Sequence, residues 1–343
     1  MFIVNPRGDL KCVHVLLFED KVNQTKRTVP LLLLHGWPGS VREFYEAIPF
    51  LTADSDDRDF GIEVIAPSLP GFAFSDAAIK PGMGGVEIAI LFNNFMSILG
   101  NDWYCVQGGD WGALIGTTLA TLFPKRVGGF HTNLPMAMTS KALMLMAIGE
   151  YFPNLVVEPS LASRIYPLKS RSVGLLEETG YFHFQATKPD TLGVAMTDSP
   201  AGFLAFFLQC MSAGTRGHNA GVEDGGLLEY YTRDQLLDNL MLYWANNKIT
   251  TSSRLYYETM HSEHAIDVLA YPTDVPFWAL QAPDEMLYMT PDMLKTKFTN
   301  LLNATVLDEG GHFLALEKPA VFSSDVLQAV KQFVLYNETN SVA

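Results

Sequence analysis

The chain has 343 residues, of which 48% are hydrophobic and 17% are charged. This length and composition indicate a globular protein with ample core, organised as one large domain that carries an insertion. The formal net charge of −14 argues against nucleic acid and anionic membranes as partners, because both require a basic face, and it fits a neutral or weakly polar substrate better.

Strand and helix patterns alternate in the first part of the chain. The predicted elements are, in order, a strand (Leu10–Glu19), a polar turn (Asp20–Thr28), a buried strand (Val29–Leu34), a helix (Val41–Ala53), a strand (Phe60–Ala66), a helix (Glu87–Leu99) and a strand (Val127–Asn133). Such alternation predicts a mostly parallel α/β sheet with helices on both faces. The continuous apolar run at residues 29–34 is typical of a strand that is buried on both faces.

This alternation stops at about residue 136. From there to about residue 262 the chain is rich in helical patterns, Met and aromatic residues, which predicts a helical cap inserted after the sixth strand. The core resumes with strands at Val275–Leu280 and Ala304–Leu307 and ends with a helix at Ser323–Leu335. The predicted parts are therefore a first core segment (1–135), a cap (136–262) and a second core segment (263–343). No apolar stretch reaches the ~20 residues that a bilayer span requires.

A sharp turn joins an apolar strand pattern that begins at Trp103 to a helical pattern that runs from Ala113 to Ala120. The sequence Gly-x-Asp-x-Gly is centred on Asp110, and small residues at helical spacing follow it. This layout resembles the nucleophile elbow of α/β-hydrolases, where glycines let a strained residue lie exposed at the end of a strand. A helix-capping aspartate is the structural alternative. A carboxylate nucleophile attacks an sp³ carbon and forms an alkyl-enzyme ester, so the candidate substrates are epoxides or alkyl halides.

The loop His-Gly-Trp-Pro at residues 35–38 follows the buried strand. In α/β-hydrolases such a loop directs a backbone N–H at the developing oxyanion, and the residue after the nucleophile supplies a second one. The candidate donors are therefore the amides of Trp37 and Trp111, while His35 orients the loop by hydrogen bonding. A simple Gly/Pro turn is the alternative, but it does not explain the buried strand directly before it.

Each of the two late strands precedes a candidate catalytic side chain. Asp284 and Glu285 follow the first strand, and His312 follows the second after two glycines. The chain order of nucleophile, acid and histidine is that of α/β-hydrolases, and ligands bind at the carboxyl ends of strands in open α/β sheets. Either acid could bond the imidazole, since the two are adjacent and point in different directions.

Three segments together resemble the microsomal epoxide hydrolase family: residues 35–38, residues 108–112 and Gly-Gly-His-Phe at residues 310–313. The similarity runs from about residue 10 to about residue 335. Segments 40–45 and 74–78 are more similar to the insect juvenile hormone branch of that family than to its mammalian xenobiotic branch. The resemblance implies an α/β-hydrolase fold with an inserted helical cap.

The resemblance also implies the roles of individual residues. In the family an aspartate opens the oxirane, two cap tyrosines donate to its oxygen, and a His–Glu pair activates water. These roles fall on Asp110, on His312 and on Glu285, because the family's acid matches residues 283–287. The tyrosines match Tyr181 in segment 180–185 and Tyr256 in segment 253–258, with Tyr257 as the fallback for the second.

The expected activity is hydrolysis of an apolar epoxide, either a juvenile hormone-like terpenoid or a xenobiotic, to a vicinal diol. Two alternatives stay open. A haloalkane dehalogenase shares the aspartate elbow and its following tryptophan, but its cap offers halide-binding N–H donors instead of tyrosines. A catalytically impaired carrier of apolar ligands would keep the pocket and lose turnover.

Carboxylate, imidazole and phenol groups suffice for this chemistry, so no cofactor or metal is expected. His261 and His264 are paired at i, i+3 without a third ligand, and this spacing favours a solvated turn over a zinc site. The family's usual N-terminal anchor and meander have no counterpart in this sequence, so we expect a short form or a fragment. The resemblance implies the endoplasmic reticulum, and the missing anchor leaves a cytoplasmic location open. Nothing in the sequence indicates an oligomeric state.

Overall fold

The computed structural model describes residues 12–19 and 26–341 of the chain. Seven strands in these residues form one sheet with the order β1-β3-β2-β4-β5-β6-β7. The strands are β1 (Val15–Glu19), β2 (Arg27–Leu34), β3 (Phe60–Pro67), β4 (Tyr104–Gly108), β5 (Val127–Thr132), β6 (Phe277–Gln281) and β7 (Leu301–Val306). All neighbouring strands are parallel except β1, which pairs with β3 in the antiparallel sense. The expectation of a mostly parallel α/β sheet is confirmed.

Helices connect the strands and complete the described chain. They are α1 (Ile48–Thr52), α2 (Gly85–Ile98), α3 (Trp111–Leu122), α4 (Ser140–Tyr151), α5 (Leu168–Glu178), α6 (Gly180–Thr187), α7 (Pro189–Asp198), α8 (Pro200–Thr215), α9 (Arg233–Trp244), α10 (Ile249–Met260), α11 (Ala265–Ala270), α12 (Pro291–Leu294), α13 (Leu314–Glu317) and α14 (Pro319–Ser341). Among the described residues, no helix combines the length and the apolar character needed to cross a bilayer.

Both faces of the sheet are covered by apolar side chains, and strand β2 shows why its sequence does not alternate. Leu32 and Leu34 belong to the core on one face, where α2 and α3 pack. Leu31 and Leu33 belong to the core on the other face, where α14 packs. A parallel strand that is covered on both sides needs apolar residues at every position, which is the pattern in the sequence.

All the regular elements between β5 and β6 are helical, and they place a layer of helices next to the carboxyl edge of the sheet. Helix α9 reaches the loop after β2, because Asn239 donates a hydrogen bond of 2.8 Å to the carbonyl of Pro38. Helix α8 reaches the loop after β7, because the amide of His312 donates a bond of 2.9 Å to the carbonyl of Gly214. These helices therefore touch the loops in which the candidate site residues were predicted.

The structure corrects two local expectations, the helix at residues 41–53 and the end of the turn before β2. The single helix predicted for residues 41–53 is wrong: a 3₁₀ turn at Val41–Phe44 ends before α1 begins, and Pro49 occupies the first turn of α1. Proline is accepted there because it lacks only an N–H that would be unpaired in any case. The helical insertion follows β5, the fifth strand among the described residues. Arg27 and Thr28 belong to β2, while residues 10, 11 and 20–25 lie outside the described part.

We predict that Phe130→Ala lowers the free energy of unfolding by about 3–5 kcal/mol. Phe130 is fully buried on β5, and its ring lies 5.5 Å from that of Phe277 and 6.1 Å from that of Phe298, measured between centroids. Urea unfolding followed by tryptophan fluorescence measures the loss. The control is Phe152→Ala, where the side chain is 62% exposed and the expected change is within about 0.5 kcal/mol. Equal effects of the two substitutions would contradict the assigned packing.

Candidate active site

Asp110 lies at the sharp turn between β4 and α3. Its backbone has φ 48° and ψ −124°, a conformation that costs a non-glycine residue of order 1–3 kcal/mol. The flanking glycines permit the turn: a Cβ at Gly108 would lie 2.2 Å from the carbonyl oxygen of Gly112. A Cβ at Gly112 would lie 2.0 Å from the carbonyl oxygen of Leu34. The elbow therefore requires small residues on both sides of the aspartate.

The loop after β2 lies directly against the Asp110 carboxylate. The amide of Trp37 donates a hydrogen bond of 2.7 Å to Oδ1 of Asp110, and a Cβ at Gly36 would lie 1.9 Å from the same oxygen. The ring of His35 braces this loop, since its Nε2 accepts from the amide of Leu69 at 3.1 Å and its Nδ1 lies 3.0 Å from the carbonyl of Gly36. Burial lowers the pKa of His35 to about 4, so the ring is neutral and Nδ1 carries the proton.

His312 lies between two carboxylates. Its Nε2 is 3.4 Å from Oδ2 of Asp110, and its Nδ1 is 2.8 Å and 3.0 Å from the two oxygens of Glu285. Asp284 points elsewhere, and its Oδ2 lies 3.6 Å from Nε of Arg216. Of the two adjacent acids that the sequence offered, the structure brings Glu285 to the imidazole.

Opposing effects act on the pKa of His312. Burial lowers the pKa, but the charge of Glu285, together with hydrogen bonds to Asp110 and Glu285, outweighs burial. The net result is a pKa well above the ordinary 6.5. The imidazole is therefore protonated at neutral pH, and it lies between the carboxyl groups of Asp110 and Glu285.

The two tyrosines matched by resemblance lie together above the elbow. The ring of Tyr181 stacks on Trp37 with 5.0 Å between centroids, and the ring of Tyr256 meets Trp111 edge to face at 4.6 Å. The two tyrosine rings are 6.2 Å apart. Burial raises the pKa of both phenols, and the negative charge of Asp110 raises it further. Both hydroxyls therefore keep their protons and are available as donors.

Tyr257, the fallback, differs from its neighbour in its surroundings. It is 37% exposed and its ring stacks on His261 at 4.1 Å, on the outer side of α10. The described residues contain no cluster of three or more His, Cys, Asp or Glu side chains that could hold a metal ion. His261 contacts the ring of Tyr257. The candidate site around Asp110 is formed by side chains and backbone amides.

Sequence reasoning missed a polar support behind His312. Nδ2 of Asn133 donates a hydrogen bond of 3.2 Å to the carbonyl of His312, and Nε2 of Gln107 donates one of 3.1 Å to Oδ1 of Asn133. Gln107 lies on β4 and Asn133 directly follows β5. The sequence did contain a signal for this support. Polar residues at the ends of two neighbouring buried strands meet at one edge of the sheet, which is where ligands bind in such folds.

Glu43 is a second residue that the sequence did not single out. Burial raises the pKa of its carboxyl to about 8. The nearby charge of His312 lowers this pKa, and that of Asp110 raises it. The carboxyl fills a space that Gly39 leaves open, since a Cβ at Gly39 would lie 1.5 Å from Oε1 of Glu43. At neutral pH this carboxyl carries a proton, so it adds no further negative charge to the site.

Comparisons with known protein families and with curated proteins find relatives of this chain. Residues 29–159 match the family model of the alpha/beta hydrolase fold, and residues 6–44 match that of the epoxide hydrolase N terminus. The chain is 53% identical over 322 residues to juvenile hormone epoxide hydrolase of Bombyx mori, which covers 94% of this chain and 70% of the relative. It is 37% identical to epoxide hydrolase 1 of Sus scrofa, with 93% of this chain and 71% of the relative covered.

Solved structures of epoxide hydrolases share this fold. The crystal structure of the Bombyx mori juvenile hormone epoxide hydrolase superposes with a TM-score of 0.93 at 52% identity, over 97% of this chain and 78% of that one. An Aspergillus niger epoxide hydrolase, 23% identical, covers 96% of this chain and 77% of that one with a TM-score of 0.73, which shows the shared fold. The fold is thus the α/β-hydrolase fold, as expected. By sequence and structure, the chain belongs to the microsomal and juvenile hormone epoxide hydrolase family.

Proposed function

We propose that this epoxide hydrolase opens its substrate through a covalent ester on Asp110. The observation that carries the proposal is the environment of one carboxylate. Oδ1 accepts the amide of Trp37 at 2.7 Å, and Oδ2 faces Nε2 of His312 at 3.4 Å. A carboxylate oriented in this way on a strained elbow is pre-organised for attack and needs little rearrangement.

In the first half-reaction an oxygen of Asp110 attacks the less hindered oxirane carbon. A C–O ester bond forms and the C–O bond of the ring breaks, so negative charge develops on the former epoxide oxygen. The hydroxyls of Tyr181 and Tyr256 donate to this oxygen, and one of them protonates it. The oxygen stays bonded to the neighbouring carbon and becomes the hydroxyl of the alkyl-enzyme. Phenols serve here because their pKa is close to that of the developing alkoxide.

In the second half-reaction water hydrolyses the ester. Formation of the ester removes the charge of Asp110, one of the two carboxylates that raise the pKa of His312. The imidazole can then give up its proton, which restores the tyrosine that protonated the former epoxide oxygen. Oriented by Glu285, the neutral imidazole then takes a proton from water, and the water oxygen attacks the ester carbonyl. The amides of Trp37 and Trp111 stabilise the tetrahedral oxyanion. The diol leaves and Asp110 regains its charge.

We propose that residues 136–262 form the cap over this site and select an apolar substrate. The cap contributes Tyr181 and Phe206, whose rings lie 5.0 Å and 5.8 Å from that of Trp37. An aromatic lining favours a long apolar chain. The relatives of higher identity, from Bombyx mori and Ctenocephalides felis, are named for juvenile hormone. This supports a terpenoid epoxide of the juvenile hormone type over a xenobiotic oxide.

We predict that Asp110→Asn lowers kcat by about a thousandfold or more, because the nucleophile is lost. With a terpenoid epoxide and with styrene oxide in ¹⁸O-labelled water, the parent protein forms the diol. After a single turnover, mass spectrometry of its peptides finds ¹⁸O in the Asp110 carboxylate. Asp308→Asn, at an exposed position after β7, serves as the control. Halide release from haloalkanes without diol formation would identify a dehalogenase, and recovery of unopened epoxide would identify a carrier.

We predict that Tyr181→Phe and Tyr256→Phe each slow alkylation of the enzyme about tenfold or more, and that the double variant slows it by about 100- to 10,000-fold. Each change removes one proton donor and keeps the ring. Stopped-flow single-turnover measurements of tryptophan fluorescence follow the step. Tyr257→Phe is the matched control, since it alters a partly exposed neighbour on the same helix. A larger loss with Tyr257→Phe than with Tyr256→Phe would exchange their assigned roles.

We predict that Glu285→Gln lowers the pKa of His312. The charge of Glu285 raises this pKa above 6.5, so its removal lets the imidazole lose its proton at lower pH. Proton NMR of the imidazole Cε1–H across a pH series measures the shift. Asp284→Asn leaves the titration close to that of the parent, because that acid faces Arg216. The reverse result for the two variants would make Asp284 the partner of His312.

A further inference from the structure

One short cap segment, residues 214–216 at the end of α8, lies against the loop that carries His312. The amide of His312 donates a hydrogen bond of 2.9 Å to the carbonyl of Gly214. A Cβ at Gly311 would lie 2.2 Å from the carbonyl oxygen of Thr215, so backbone meets backbone at this point. The position of the imidazole therefore depends on a segment of the cap as well as on the core.

Arg216, the last residue of this segment, is buried and pairs with Glu317, whose side chain is only 1% exposed. Its Nη1 lies 2.5 Å from Oε2 of Glu317. Its Nε lies 3.6 Å from Oδ2 of Asp284, and its guanidinium group lies 4.3 Å from the ring centroid of Tyr230. One cation thus contacts two carboxylates on two different core elements.

Both carboxylates are joined directly to a catalytic loop. Oε1 of Glu317 accepts a hydrogen bond of 3.0 Å from the amide of Gly311, the residue before His312. Asp284 is the residue before Glu285, and its amide donates a bond of 3.2 Å to the carbonyl of Gly310. The loop with the base and the loop with the acid are therefore tied to each other and to the same guanidinium group.

We propose that Arg216 is a positioning residue that sets the distance between Glu285 and His312 for hydrolysis of the alkyl-enzyme. Its planar group can contact two carboxylates at once, which a single ammonium cannot do with the same geometry. The inference rests on the proposed function, because it assigns Arg216 to one half-reaction of that mechanism.

The two half-reactions respond differently to a displaced imidazole. Attack by Asp110 uses the tyrosines and does not use His312 as a base. Hydrolysis of the ester uses the His312–Glu285 pair directly, and a misplacement of ~1 Å can cost about 100-fold in such a step. Loss of Arg216 therefore slows hydrolysis and leaves alkylation nearly unchanged, so that the ester accumulates.

The test is a rapid-quench single turnover with styrene oxide, in which intact-protein mass spectrometry counts the ester on Asp110. For Arg216→Ala we expect alkylation within about threefold of the parent and ester hydrolysis slowed about 10- to 100-fold. Arg216→Lys keeps the buried charge and recovers part of the hydrolysis rate. Arg233→Ala, an exposed arginine at the start of α9 in the same cap, leaves both rates unchanged.

A second variant separates positioning from stability. Arg216→Ala leaves the buried Glu317 unpaired, which is destabilising. The double variant Arg216→Met/Glu317→Gln carries no unpaired buried charge, and circular dichroism and Tm measurements test whether it is folded. We expect the same accumulation of ester in the double variant, and this result decides the question if Arg216→Ala does not fold.

The possible results are distinct. Equal slowing of both steps in the folded variants, or no slowing of hydrolysis, overturns the role of Arg216. Full hydrolysis in the double variant overturns it as well. Absence of any ester in the parent during turnover contradicts the proposed covalent mechanism instead, so the two failures are distinguishable.

Discussion

The carboxylate of Asp110 and the backbone around it impose the main constraint on this fold. The turn places a non-glycine residue at positive φ, and the approach of Gly112 to the carbonyl of Leu34 leaves no room for a side chain. Neighbouring strands β2 and β4 must therefore end at the same level, so that the amide of Trp37 reaches Oδ1. The sheet register and the chemistry of the site depend on the same contact.

Charge balance is the second constraint. The carboxyl groups of Asp110 and Glu285 lie on two sides of the same imidazole, and the protonated His312 places a positive charge between them. Phenols that keep their protons add donors without charge, and the raised pKa of Glu43 keeps a third acid neutral. In a poorly solvated site, charges without partners would be costly, so every ionised group has an opposite charge beside it.

The helices between β5 and β6 and the sheet contact the candidate site from two sides. Helix α9 contacts the loop after β2, where Asn239 and Tyr243 donate hydrogen bonds to the carbonyls of Pro38 and Gly39. The end of α8 contacts the loop after β7 through Gly214. Helices α8 and α9 therefore hold both of the loops that flank the elbow through hydrogen bonds to their backbones.

The sequence by itself determined the alternation of strands and helices, the elbow at Asp110 and the glycine-bounded loop at residues 35–38, because these features depend on local spacing and on residue size. It left Asp284 and Glu285 equivalent on local grounds, and only family resemblance selected Tyr181 and Tyr256 from 13 tyrosines. It also predicted one continuous helix where the chain forms two short ones.

The tertiary structure placed Glu285, the acid that the family resemblance had favoured, beside the imidazole. Only the tertiary structure revealed Asn133 behind His312, the neutral carboxyl of Glu43, and the contact of Arg216 with Glu317. These partners are separated by tens to hundreds of residues along the chain. Their pairing depends on how sheet, cap and loops pack together. A local pattern contains no information about that packing, because each side chain has several possible neighbours until the backbone is folded.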